Sequence, residues 1–152
     1  MIRIPRNVHK KGFTITELAV VLIVISMFIS ILYPIVYHVR NKAKIITCRD
    51  NLQKISLGIR LYASENQEIF PSSLDELVKE GYVEGDRVFD CPGSPHAGNA
   101  KEPDYHYITG YTLLAPSDTA ILFDKDENHK SGKHVLYISG DIEWLASKTG
   151  SK

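Results

Sequence analysis

A long, mostly apolar run from Leu18 to Tyr37 constrains this 152-residue chain more than any other feature. The run contains no Asp, Glu, Lys or Arg, and its apolar residues do not alternate with polar ones at any period. It therefore lacks the pattern of an amphipathic core helix. About twenty apolar residues are enough to cross a bilayer as a helix. The sequence predicts a membrane-spanning helix over residues 13–39.

Two features beside this run are unusual for a simple anchor. Glu17 stands inside the apolar segment, although a carboxylate costs about 2.5–3.5 kcal/mol at the centre of a membrane helix and less towards its end. Residues 1–12 carry four basic side chains and no acid, and they end in Gly12. A secretory signal has its small residues after a shorter apolar run, whereas here Gly12 precedes the run.

The segment KKGFTITEL, residues 10–18, resembles the processing signature of type IV pilins and of the pseudopilins of type II secretion. The resemblance implies that residues 1–12 are a leader, cut after Gly12 by a prepilin peptidase/methyltransferase that also methylates the new N-terminus, Phe13. It assigns Glu17 to assembly, paired with the α-amine of Phe13 on a neighbouring subunit. The alternative for Glu17 is a side chain that snorkels to the membrane interface. Pro34 matches a proline that is common in the helix of this family.

The helix is expected to continue beyond the membrane, because no Gly, Pro or turn cluster interrupts residues 39–57. Pro34 removes one backbone donor, which predicts a bend or local melting near it. Further along, apolar residues at alternating spacings of three and four predict a stripe that packs on a sheet of the same chain. The stripe consists of Ile45, Cys48, Leu52, Ile55, Ile59 and Tyr62. The opposite, polar face carries Lys44, Arg49, Asp50, Gln53, Lys54 and Arg60.

The remaining chain predicts a small α+β domain. Ser73 and Glu76 have capping-box spacing for a short helix that Gly81 ends, and residues 82–104 form a long loop. Segments rich in β-branched and aromatic residues predict strands, with a hairpin turn at residues 139–141. These strands are Tyr105–Leu114, Ala120–Asp124, His134–Ser139 and Ile142–Leu145. The predicted fold is a long N-terminal helix packed on a C-terminal antiparallel sheet of three or four strands, with residues 40–152 as the globular domain.

Four further segments and Tyr62 are similar to the major-pseudopilin branch; the segments are residues 48–53, 70–71, 89–92 and 140–144. The resemblance implies a non-enzymatic subunit of a helical homo-oligomeric filament, the pseudopilus of type II secretion. Its implied partners are the inner-membrane assembly platform and minor pseudopilins. The N-terminus would be cytoplasmic and the domain periplasmic.

Two alternatives stay open, a type IV pilin or minor pilin and a membrane-anchored periplasmic domain that binds a ligand or catalyses a reaction. The whole chain has 18 basic and 18 acidic residues. Because four of the basic ones lie in residues 1–12, the rest carries a net charge of −4, which argues against nucleic acid as a partner.

The resemblance also directs attention to calcium, which secretion pseudopilins bind in a C-terminal loop. Asp124, Asp126 and Asn128 place oxygen ligands at alternate positions, although the loop is not an EF-hand because His129 replaces the required Gly. A solvated acidic turn is the alternative. Four histidines, together with Asp104 and Asp124, invite a transition-metal interpretation: His96, His106, His129 and His134. No pair of them has the spacing of a helical metal site, and as loop and strand-edge residues they are interpreted as solvated.

The two cysteines suggest a disulfide. Cys48 lies on the core-facing stripe, and Cys91 lies in a loop that needs an anchor, so a Cys48–Cys91 bond is the hypothesis. Two buried thiols are the alternative.

Overall fold

The computed structural model describes residues 13–147. The predicted leader and Gly12 lie outside the described residues. The chain divides into two compact units between Val39 and Arg40. One helix, α1 (Ile15–Glu65), contributes residues to both units, which are described in turn.

In the first unit α1 begins just after Thr14. The Thr14 hydroxyl accepts a hydrogen bond from the backbone N–H of Glu17 at 3.3 Å, which caps one of the free donors of the first turn. Pro34 lies inside the helix, which continues past it without a break. Of the two expected effects of Pro34, local melting is wrong, because the loss of one hydrogen bond does not end a helix that is continuous on both sides. A bend at Pro34 stays a prediction.

In the second unit the predicted stripe of α1 is confirmed. Cys48, Leu52, Ile55 and Ile59 are completely buried, while Ile45 and Tyr62 at the two ends of the stripe are half-buried. All six residues of the predicted polar face are exposed. Helical periodicity alone thus placed this part of α1 against the core.

The core is completed by a four-stranded antiparallel sheet. Its strands are β1 (Tyr105–Tyr107), β2 (Ala120–Asp124), β3 (Gly132–Tyr137) and β4 (Ile142–Ala146), and they pair in the order β1-β2-β3-β4. Ile121, Leu122 and Leu136 from the sheet, and Ile138 just after β3, join the α1 residues in one hydrophobic cluster. This arrangement confirms the α+β, pilin-like fold.

A bulge between Ala120 and Leu122 sets the register of β2 on β3. It explains why two adjacent side chains, Ile121 and Leu122, are both buried although successive strand residues normally face opposite sides. After the bulge Phe123 pairs with Val135, which brings the end of β2 beside the beginning of β3.

The first predicted strand is too long. β1 stops at Tyr107, and Gly110 has a positive φ of 87° that turns the chain. The following residues pair instead with the segment after α1, through hydrogen bonds from Phe70 N to Tyr111 O and from Leu113 N to Glu68 O. The residues predicted as one strand therefore pair with two different segments, β2 and the segment that follows α1.

The predicted capping box is also wrong in its register. Helix α2 (Leu74–Lys79) follows Ser73, but the Ser73 side chain makes no capping bond. Glu76 instead accepts hydrogen bonds from the backbone N–H and the hydroxyl of Ser72. Gly81 ends the helix as predicted, at a φ of 81°. The predicted loop 82–104 contains a short 3-10 helix, Asp86–Phe89.

Candidate functional site

The first candidate site is the apolar surface of α1 in the first unit. None of the 18 residues in its most apolar window is buried within the described chain. Covering one large apolar side chain contributes about 1.5–3 kcal/mol, so exposure of a surface of this extent to water is unfavourable, which fits a membrane anchor or an interaction surface. Among the described residues, α1 is the one helix that is long and apolar enough to cross a membrane.

Two serine hydroxyls in the apolar part of α1 are satisfied locally. The Ser26 hydroxyl donates to the carbonyl of Ile23, and the Ser30 hydroxyl donates to that of Ser26, both at 2.8 Å. These bonds spare the hydroxyls from needing water, which the interior of a bilayer does not supply. The two serines are therefore compatible with an apolar environment.

Glu17 occupies the first turn of α1. Within residues 13–147 its carboxylate has no cationic partner at salt-bridge distance. An acid in the first turn also interacts favourably with the positive end of the helix dipole. Phe13, which precedes the helix, is 68% exposed. The structure thus presents an aromatic side chain and an acid at the beginning of an apolar helix.

The second candidate site lies around the cysteines of the second unit. Cys48 on α1 and Cys91 in the long loop form a disulfide, with their Cα atoms 5.5 Å apart. One turn further along α1, the Asn51 side chain donates a 2.9 Å hydrogen bond to the carbonyl of Asp90. The loop is therefore attached to the helix by a covalent bond and an adjacent hydrogen bond.

Asp104 holds the other end of the same loop. Its carboxylate accepts hydrogen bonds from the backbone N–H of Cys91 and from the Ser94 hydroxyl, at 3.0 and 3.1 Å. Its carbonyl accepts a 2.7 Å bond from the side chain of Asn128. The loop is fixed to the sheet through this one buried residue.

The predicted calcium ligands occupy different environments. Asp126 is exposed and forms an ion pair with Lys133 at 3.0 Å. Asp124 and Asn128 are buried, and each has one side-chain oxygen without a hydrogen-bond partner among the described residues, Oδ1 in both. Calcium at these three residues stays a prediction.

The interpretation of the histidines as solvated is wrong for His134. His134 is 3% exposed, and both its backbone N–H and its Nδ1 lie within 2.9 Å of Asp124 Oδ2. His129 is half-buried, and its Nε2 lies 3.3 Å from Cys91 Sγ. Burial lowers the pKa of His129, because it disfavours the charged imidazolium. The sequence signal that could have revealed this cluster is the hairpin register, which sets Asp124 and His134 on paired strands.

A long helix whose outer part packs on a four-stranded antiparallel sheet is the architecture of the pilin-like α+β fold, and the apolar part of the same helix fits a membrane anchor. The chain is similar to the competence protein ComGC of Halalkalibacterium halodurans, with 29% identity over 76 residues that cover 50% of this chain and 74% of that protein. This similarity supports a pilin-like family. No family model matches the chain, and no solved structure matches it.

Proposed function

We propose that this protein is a structural subunit of a pseudopilus for type II protein secretion. It is made with a leader, residues 1–12, that a prepilin peptidase removes after Gly12 before Phe13 is methylated. The mature chain spans the inner membrane with a cytoplasmic N-terminus and then joins a helical filament, guided by the assembly platform and by minor pseudopilins.

The observation that carries the proposal is the contrast along α1. No residue of its most apolar 18-residue window is buried in the described chain, whereas Cys48, Leu52, Ile55 and Ile59 of the same helix are fully buried. The second unit therefore buries one apolar face of α1 in its own core, whereas the first unit buries none of that window. Lipid covers the first unit in the monomer, and the apolar helices of neighbouring subunits cover it in a filament.

Glu17 supplies the register of that packing. An uncompensated carboxylate is costly in a membrane, and a cation from a neighbour offsets this cost. Cleavage after Gly12 creates such a cation, the α-amine of Phe13. Glu17 of one subunit then pairs with Phe13 of the next, which favours one axial offset between neighbouring helices over the others.

Substitutions at Gly12 and at Glu17 test the proposal in cells that contain a prepilin peptidase. We expect Gly12→Val to block processing, so that mass spectrometry finds the uncut chain, whereas Asn7→Ala in the same leader is cut normally. We expect Glu17→Ala and Glu17→Gln to be cut and methylated but to form no filaments in sheared-cell fractions. Glu84→Ala, an exposed acid of the second unit, is the control. Normal filaments from both Glu17 variants would disprove the register role.

A second candidate, a type IV pilin-type filament outside secretion, is favoured by the similarity to a competence protein. Deletion of the coding sequence separates the two. Loss of secreted proteins from the medium, restored by the wild-type chain but not by Glu17→Ala, supports the secretion pseudopilus. Unchanged secretion with loss of surface filaments or of competence supports the second candidate.

The third alternative is a membrane-anchored domain that binds a ligand or catalyses a reaction. It is supported only if the full chain binds a ligand or turns over a substrate and Glu17→Ala retains that activity.

A further inference from the structure

We propose that Asp124, His129 and His134 form a binding site for a divalent transition-metal ion, with zinc preferred, at the turn that joins β2 to β3. One ligand atom from each residue lies within 4.8 Å of the other two. The three residues come from the end of β2, the connecting turn and the beginning of β3. This site does not depend on the proposed filament function.

The distances are close to those of a metal centre. Zinc bonds to nitrogen and oxygen are about 2.0–2.1 Å long, so two ligand atoms of a tetrahedral site are about 3.3 Å apart. Asp124 Oδ2 and His134 Nδ1 are already 2.9 Å apart. An ion can replace the hydrogen between them, with the remaining ring proton of His134 on Nε2. The His129 ring, on a half-buried turn residue, then moves inward to supply the third ligand.

A buried oxygen atom without a hydrogen-bond partner indicates a place for a bound ion. Asp124 is completely buried, yet its Oδ1 has no hydrogen-bond partner among the described residues. Buried carboxylate oxygens are stable when paired or bound to a metal. Both hydrogen bonds described for the Asp124 carboxylate reach Oδ2, so Oδ1 is free to join Oδ2 as the second oxygen of a bidentate carboxylate ligand. A second buried oxygen without a partner, Oδ1 of Asn128, belongs to the residue next to His129.

The donor set selects the kind of ion. Two imidazoles and one carboxylate suit zinc and the neighbouring transition metals, whereas calcium prefers oxygen ligands alone. This site therefore differs from the expected calcium site, with which it shares only Asp124. The ring of Trp144 packs at 4.7 Å from that of His134 and at 5.9 Å from that of His129, and it shields one side of the cluster from water.

An ion can reach the site without unfolding of the domain. His129 lines an open cleft together with Gly132, Lys133 and Leu145. His129 also approaches the disulfide, and Cys48, Cys91 and His129 form a second group of possible ligands. As long as the disulfide is intact, its sulfurs are not available as thiolates. The proposal therefore concerns the oxidised protein.

The test uses the full chain in detergent micelles, with the disulfide intact. We expect calorimetric titration with zinc to show one ion per chain. We expect His129→Ala to weaken binding at least as much as the loss of a residue that only orients a ligand, which costs about 10–100-fold. His96→Ala, which removes an exposed histidine of the long loop, should bind zinc like the wild type. The chain has one tryptophan, Trp144, so Co²⁺ at this site should quench its fluorescence, and zinc should restore it.

Several outcomes would overturn the proposal. These are the absence of stoichiometric zinc binding in the wild type, an equal loss in His96→Ala and His129→Ala, or displacement of zinc by calcium in moderate excess. Zinc binding that appears only after reduction by a phosphine would assign the ion to the cysteines instead. If His129→Ala lacks the wild-type melting transition in EDTA, the substitution has disturbed the fold. The proposal is then tested by Co²⁺ quenching of Trp144 fluorescence in the wild-type protein, and absence of quenching would overturn it.

Discussion

Arg60 on α1 donates a 2.8 Å hydrogen bond from Nη2 to the carbonyl oxygen of Ile138, which follows β3. The same guanidinium lies against Gly140, where an added Cβ would come within 2.7 Å of Nη2. The long helix is thus joined to the turn between β3 and β4 by a residue that the sequence pattern places on its polar face.

We expect Arg60→Met to lower the free energy of unfolding by about 1 kcal/mol, because a charged donor to a part-buried carbonyl is lost while most of the side-chain volume is kept. Lys54→Met, an exposed lysine on the same helix, is the matched control and should change stability by less than about 0.5 kcal/mol. Denaturant unfolding followed by Trp144 fluorescence measures both. Equal effects of the two substitutions would show that the Arg60 bond contributes nothing.

Removal of the disulfide should destabilise the second unit. Cys48 and Cys91 are 43 residues apart, and closing a loop of that length contributes on the order of 4 kcal/mol in the chain-entropy account. We expect Cys48→Ala/Cys91→Ala and the chemically reduced wild type to show similar losses in denaturant unfolding. Mass spectrometry of the unreduced protein after alkylation should find no alkyl adducts. Two adducts would mean that the protein carries two thiols instead.

The bond between Ser72 and Glu76 predicts a dependence of stability on pH. Hydrogen bonding from the Ser72 hydroxyl lowers the pKa of Glu76. A carboxyl group with a lowered pKa in the folded state contributes stability above its unfolded pKa and loses it as the pH falls through the folded one. We expect Ser72→Ala to cost about 0.5 kcal/mol at pH 7, a small value because solvent screens the pair.

The difference between wild type and Ser72→Ala should diminish as the pH falls below the ordinary range of a glutamate. Ser73→Ala is the control, since Ser73 occupies the N-cap position but its side chain makes no capping bond. Unfolding curves measured from neutral to acidic pH compare the three proteins. A larger loss of stability in Ser73→Ala than in Ser72→Ala would support the capping box that the sequence predicts.

Gly58 on α1 is required by close packing. A Cβ added there would overlap the Cγ2 atom of Val83, so we expect Gly58→Ala to destabilise the fold by about 1–3 kcal/mol. In Gly58→Ala/Val83→Ala the overlapping methyl group is gone. The double variant should therefore be more stable than the sum of the two single losses implies, as a double-mutant cycle measures. Strict additivity would contradict the overlap.

The larger features of the fold could be predicted from sequence because they depend on periodicity. The apolar run predicted the exposed part of α1, and the spacing from Cys48 to Ile59 predicted the buried part. Local choices were less predictable. Whether Glu76 bonds to Ser72 or Ser73 depends on the path of the chain before the helix. Where β1 ends depends on Gly110 and on a distant partner segment.

The candidate metal cluster could not be predicted from spacing. His129 and His134 look like loop and strand-edge residues in the sequence, and their burial depends on which side of the hairpin meets the core. Asp126 and Asp124 have the same alternate spacing, yet one is exposed beside Lys133 and the other is inside. Sequence spacing gives the order of possible ligands but not the direction in which each side chain points.

The anchoring of the long loop has a practical consequence for labelling. The disulfide at Cys91 and the hydrogen bonds of Asp104 hold the two ends of the loop, while His96 and Ala97 between them are exposed. Extra residues at an exposed point between two fixed ends add little closure entropy. A short epitope or fluorophore-binding tag inserted between His96 and Ala97 should therefore be displayed on the surface, so that the subunit can be followed in living cells.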